Sequence, residues 1–185
     1  KQVDYLNNVV GKERLSAWTA NIAFAGFTAP KILWLRENEP ENFARIAKIM
    51  LPKDYVNYIL TGVHACDYSD ASGTLLLDVK NKRWSKEMLD VCGVSENQMP
   101  KLFESYQCIG TVKPDIARTL GLGDTVKVAA GAGDNAAAAI GTGVVGDGGC
   151  NISLGTSGTV FISSRTFGVD RHNALHAFAH ADGGY

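Results

Sequence analysis

Apolar positions recur at helical spacing through the first ninety or so residues and then give way to short β-branched runs punctuated by glycine. Thr28-Ala29-Pro30 opens a run carrying Ile32, Leu33, Trp34 and Leu35. Thr28 is its expected N-cap, and Pro30 falls in a first turn that has no hydrogen bond to lose. Pro40 restarts the chain, and Phe43, Ile46, Ala47 and Met50 continue at helical spacing. Pro52-Lys53-Asp54 begins a third helix through Tyr55, Tyr58, Ile59 and Leu60, stopped by Gly62. Ser85 is expected to cap a short helix with Met88, Leu89 and Val91 that stops at Gly93.

From residue 108 onward the pattern predicts a strand over 109–112, a helix over 114–120 closed by Gly121, and a strand over 125–130. That last run is β-branched and apolar, as in strands buried on both faces. Gly131-Ala132-Gly133-Asp134-Asn135 follows, then an alanine-rich helix over 136–140. Strands over 150–154 and 159–164, joined by Gly155-Thr156-Ser157-Gly158, read as a β-hairpin. The class is α/β. Nine of the twenty glycines lie between 131 and 158, where backbone must turn sharply or approach something closely. The tract 141–149 is the candidate domain boundary. The residues beyond it are too few for a core of their own, so they are expected to lean on the rest.

Charge removes two classes of function. Eighteen basic residues face nineteen acidic ones for a net charge of −1, with no basic stripe to grip a phosphate backbone. No apolar run approaches the ~20 residues of a membrane span. Cys66, Cys92, Cys108 and Cys150 include no C-x-x-C pair and read as free, mostly buried thiols of a cytosolic protein. The chain starts at Lys1 without a signal-peptide pattern, and both ends look cut, so a piece of a longer protein is expected.

Two motifs carry candidate chemistry. Asp134 is placed at the end of a strand and the start of a helix, among small residues, where ligands of open α/β sheets collect. A carboxylate there can act as general base toward a hydroxyl, with Asn135 orienting the substrate, and the positive end of the helix suits its charge. The plainer reading is that Asp134 only caps the helix. The turn Gly155, Thr156, Ser157, Gly158 offers backbone N–H groups and hydroxyls to phosphate oxygens, or is simply a hairpin turn. It is neither a Walker A loop nor G-x-G-x-x-G. A base and a phosphate cradle on either side of a glycine hinge suit phosphoryl transfer, with closure excluding water.

Other clusters have structural readings. Asp67, Ser69, Asp70 and Ser72 read as a turn that supports the site. His172, His176 and His180 would share one face of a helix, but without a carboxylate or Cys at matching spacing they read as core rather than metal ligands. Trp18, Trp34 and Trp84 read as core aromatics.

Five stretches taken together resemble the FGGY carbohydrate kinases. They are Gly26-Phe27-Thr28-Ala29-Pro30-Lys31, Leu51-Pro52-Lys53-Asp54-Tyr55, Asp67-Tyr68-Ser69-Asp70-Ala71-Ser72-Gly73-Thr74, Gly131-Ala132-Gly133-Asp134-Asn135-Ala136-Ala137 and Ser153-Leu154-Gly155-Thr156-Ser157-Gly158. They cover nearly the whole chain in family order. The resemblance implies an actin-like, ribonuclease-H-like two-domain ATPase fold that phosphorylates a sugar with ATP and Mg2+, here most closely D-xylulose. It implies Asp134 as catalytic base, Asn135 as a sugar contact, and Gly155, Thr156, Ser157 and Gly158 as the loop facing the ATP phosphates, with no metal held by protein side chains. The family's Asp-x-Gly-Thr phosphate motif, a Met-His-Gly-Gln sugar-binding segment and the Gly-rich adenosine site are absent. The expectation is therefore the later part of a first domain (1–145) and the opening of a second, nucleotide-binding one (146–185), inactive alone. The implied partners are the sugar and ATP, without nucleic acid or membrane, and a homodimer is one assembly open to it. A non-catalytic carbohydrate- or nucleotide-binding module, a folding or interaction fragment without ligand, and a kinase for ribulose, gluconate, glycerol or fuculose are the alternatives.

Overall fold

The computed structural model describes residues 1–156 and 158–185. Its amino-terminal third is helical: α1 (Gln2–Asp4), a π-helical segment (Tyr5–Gly11), α2 (Lys12–Thr19), α3 (Thr28–Asn38), α4 (Pro40–Ala44) and α5 (Pro52–Thr61). α3 begins at Thr28 itself, and Phe27, without a side-chain hydrogen bond, takes the cap position expected of Thr28. α4 stops at Ala44 instead of running on to Met50. A 3-10 turn at Glu96–Gln98 takes over the backbone groups beyond it. Gln98 Nε2 donates to the Ile46 carbonyl at 2.7 Å, and the Ile49 N–H donates to the Gln98 carbonyl at 2.8 Å. Groups satisfied by a tertiary partner have no need of a helix. α5 ends as expected at Gly62, whose φ of 78° suits a residue without a Cβ.

The middle of the chain runs β1 (Ala65–Asp67), α6 (Tyr68–Ser72), β2 (Leu77–Asp78), β3 (Arg83–Trp84), α7 (Lys86–Cys92) and β4 (Lys101–Phe103). β4 returns parallel to β1, with Asp67 opposite Phe103. Parallel strands require a crossover, and the elements from α6 to α7 supply it. Ser85 caps α7 by accepting the Met88 N–H, and Gly93 ends it, as the sequence predicted. The core lies between these elements and α2 and α3, where Leu6, Leu15, Leu33, Leu75, Leu76, Leu77 and Met88 are fully buried. Three consecutive leucines cannot all face one side of a strand. Leu75 adopts φ 61°, which breaks the alternation just before β2.

The last part holds β5 (Cys108–Thr111), α8 (Pro114–Leu120), β6 (Lys127–Ala129), α9 (Asp134–Gly141), β7 (Cys150–Leu154) and β8 (Gly158–Ile162). Every sheet among the described residues is two-stranded. This corrects the expected doubly buried strand over 125–130. β6 is three residues long, pairs only with β5, and exposes Lys127 and Ala129. β7 and β8 form the predicted hairpin, with Gly158 paired to Leu154 and so inside the strand rather than in the turn.

Residues after the hairpin fold back onto the first part. Asn21 bonds both the N–H and the carbonyl of Ala177 (3.1 and 2.8 Å), and the Ala179 N–H donates to Ser72 Oγ at 3.0 Å. No helix forms there among the described residues, so the three histidines share no face. His176 stacks on Phe178, while buried His180 meets the Val144 carbonyl at 2.9 Å. Cys66 and Cys92 are buried, but Cys108 and Cys150 are exposed, so the thiols are not mostly buried. Trp84 is a core residue, with Nε1 donating to the Pro100 carbonyl. Trp34 stands 47% exposed, against its reading as core.

Candidate active site

β6 leads through Ala130-Gly131-Ala132-Gly133 into α9, whose first residue is Asp134. Gly133 occupies the cap position, so Asp134 is not the cap that the plainer reading made it. Its side chain is exposed. Oδ1 accepts the Asn135 N–H at 2.8 Å and Asn135 Nδ2 at 3.3 Å. Oδ2 has no protein partner, and no cation pairs with the carboxylate, among the described residues. Such a group can accept a proton from an incoming hydroxyl.

Asp134 and Asn135 open into a cleft of about 90 Å3 whose wall includes Ser69, Asp70, Gly133, Phe161 and Phe178. The hairpin therefore reaches the cleft through Phe161 on β8. Gly155, Thr156 and Gly158, the expected phosphate cradle, are not on this wall, and Ser157 lies outside the described residues. Asp67, Ser69, Asp70 and Ser72 form the short helix α6 and its cap, not the expected turn. Asp67 caps α6 by accepting the Ser69 and Asp70 N–H groups.

Sequence reasoning missed Lys53. Its ammonium stands 2.8 Å from Asp54 Oδ1, 3.0 Å from Asp67 Oδ1 and 3.9 Å from Asp70 Oδ2. It also donates to the Ala130 carbonyl at 3.0 Å. Burial opposes the Lys53 charge, yet the neighbouring Asp67, with Cys66 and Asp54, holds its pKa above the usual range. The lysine stands at the start of α5, 77 residues from Ala130, and local pattern says only that a helix begins there. The one signal was the presence of Lys53 among the stretches that carry the family resemblance.

Asp70 is pushed up to about 6, chiefly by burial. Lys53 offsets part of this, while the charges of Asp67, Asp54 and Asp134 add to it. Because this value lies above the ordinary 3.8, the folded state holds the extra proton between about pH 4 and 6. Stability is then lost as the pH rises through that window. Asp70→Asn, which carries no charge, is expected to exceed the parent in stability by on the order of 2–3 kcal/mol at pH 8. Below pH 4 the two should coincide. Urea unfolding at both pH values checks this, and the same difference at each would contradict it.

A sequence model of the FGGY family of carbohydrate kinases, N-terminal domain, matches residues 1–141. The chain is 47% identical over 163 residues to a xylulose kinase of Escherichia coli K12, covering 88% of this chain and 34% of that protein. It is 47% identical over 180 residues to a xylulose kinase of Lactococcus lactis, covering 97% and 36%. A crystal structure of a "xyloylose kinase" from Brucella ovis superposes with a TM-score of 0.93 at 42% identity, over 98% of this chain and 37% of that one. The chain thus spans about a third of the length of the curated relatives it matches.

Proposed function

The chain belongs to the FGGY family of carbohydrate kinases, and from that premise we propose that its Asp134 cleft is the acceptor side of an ATP-dependent sugar phosphorylation, with D-xylulose converted to D-xylulose 5-phosphate. The fold is the actin-like one of these kinases. The observation that carries the reading is the exposed Asp134 carboxylate lining the cleft, with one oxygen held by Asn135 and the other without a partner among the described residues.

In the proposed reaction Asp134 takes the proton of the sugar hydroxyl as that oxygen attacks the γ-phosphorus of ATP. The new O–P bond forms while the bond from phosphorus to the β–γ bridging oxygen breaks. ADP departs with the electron pair, and the proton rests on Asp134 until solvent removes it. Asn135, bonded to Asp134, is the proposed sugar contact. Gly155, Thr156, Ser157 and Gly158 are the proposed phosphate-facing turn of a second domain that begins near residue 146, after a first domain ending near 145. Among the described residues no group of three His, Cys, Asp or Glu side chains is placed to hold a metal ion. Mg2+ enters this reading with ATP, and when bound it would neutralise charge developing on the transferred phosphoryl group. Four free cysteines support a reducing compartment such as the cytoplasm. No helix among the described residues is long and apolar enough to cross a membrane.

The identity to two xylulose kinases supports the sugar. ADP release by the intact gene product, assayed with D-xylulose, D-ribulose, gluconate and glycerol, tests it. The highest kcat/KM is expected with D-xylulose. A higher value for another acceptor would replace the sugar and keep the kinase, and no release with any acceptor would leave only a binding module. Residues 1–185 alone are expected to release none.

A further inference from the structure

We propose that Asp67 and Ser69 are positioning residues for Asp134, and that a buried network centred on the Asp67 carboxylate sets where the base stands. This rests on the reading of Asp134 as base. Asp67 is fully buried and does not line the cleft. Its Oδ2 accepts the Ser69 hydroxyl and the Ser105 hydroxyl, the latter at 2.9 Å. Its Oδ1 faces the Lys53 ammonium at 3.0 Å.

Each of those three residues also grips the loop that carries Asp134. Lys53 donates to the Ala130 carbonyl, the Ser105 carbonyl accepts the Gly131 N–H at 3.0 Å, and Ser69 Oγ accepts the Gly133 N–H at 3.0 Å. The loop lies directly on the network. Gly131 has φ 83°, and a Cβ there would come within 2.9 Å of Lys53 Cδ. A Cβ on Gly133 would touch the Asp70 backbone at 3.4 Å.

The chemistry of the hub explains why a carboxylate is used. An ionised carboxylate only accepts, so the single hydroxyl hydrogen of Ser69 must point at Asp67. The lone pairs of Ser69 are then left for the Gly133 N–H, immediately before the base. Small displacements of a reacting group carry large rate penalties, so a lost anchor at Gly133 is expected in kcat rather than in binding.

The test uses the intact kinase and ADP release. Ser69→Ala is expected to lower kcat about tenfold or more, with KM for sugar and for ATP within about twofold. Ser69→Thr, which keeps the hydroxyl, should return kcat to within about threefold of the parent. On an Asp134→Asn background Ser69→Ala should cause no further loss, because the group it positions is gone. Should Ser69→Ala fail to fold, Ser105→Ala carries the same test, since it removes a hydroxyl from the hub and keeps the carbonyl bonded to Gly131. A fall in its kcat at constant KM supports the proposal, and an unchanged kcat overturns it. Parent-like kcat in Ser69→Ala beside an inactive Asp134→Asn overturns the positioning role alone, as does additive loss in the double variant. Parent-like kcat in Asp134→Asn overturns both readings.

Discussion

Asp134→Asn in the intact protein is expected to lose at least ~10²-fold in kcat, the scale of a positioned general base. The carboxamide has the shape of the carboxylate, and its oxygen can still accept the Asn135 N–H that Oδ1 accepts now. The site is exposed and forms no ion pair among the described residues, so the change removes proton acceptance and little else. Stability should stay within about 0.5 kcal/mol of the parent, as for surface positions free of special roles. Steady-state ADP release with saturating sugar and ATP reads the rate, and thermal unfolding reads the fold. A rate near that of the parent would remove Asp134 from the chemistry, and with it the mechanism.

Lys53→Met should be the most damaging substitution for stability. Lys53 is the cation shared by Asp54 and Asp67, whose side chains are wholly buried. Removing one partner of a buried pair leaves its charge uncompensated, at a cost of about 3–5 kcal/mol. Asp67 Oδ1 is especially vulnerable, because it has no aligned hydrogen bond to fall back on. The Ala130 carbonyl would retain Asn57 Nδ2 at 3.0 Å, so the loop is weakened rather than released. Urea unfolding measures the loss. A difference below about 1 kcal/mol would place these charges in the same class as exposed pairs, which contribute little. Adding Asp67→Asn to Lys53→Met should destabilise less than the sum of the two single changes, since the two groups share one interaction.

Much of the scaffold was readable along the chain. Gly62, Gly93 and Gly121 end their helices in left-handed conformations, Ser85 caps α7, and the run from Cys150 to Ile162 folds back as a hairpin. Each of these depends on residues within a few positions of one another. Position in the sequence placed Asp134 and Asn135 at the start of a helix after a strand, and the structure puts them there. Where a distant partner intervened, the reading failed. Helical spacing from Phe43 to Met50 gave way to bonds with Asn97 and Gln98. The apolar run before Ala130 became an exposed two-stranded edge, because among the described residues only β5 pairs with it.

The sequence by itself determined the Ser85 cap, the glycine stops, the hairpin and the carboxylate at the start of α9, along with the family to which they belong. Only the tertiary structure decided that Lys53, Asp67, Ser69 and Ser105 meet beneath the loop of Asp134, across separations of 64 residues from Ser69 to Gly133 and 77 from Lys53 to Ala130. Caps and turns are settled by hydrogen bonds between chain neighbours. A buried charge network is settled by which groups lose water together and which partner then compensates them, and that depends on how the whole chain packs.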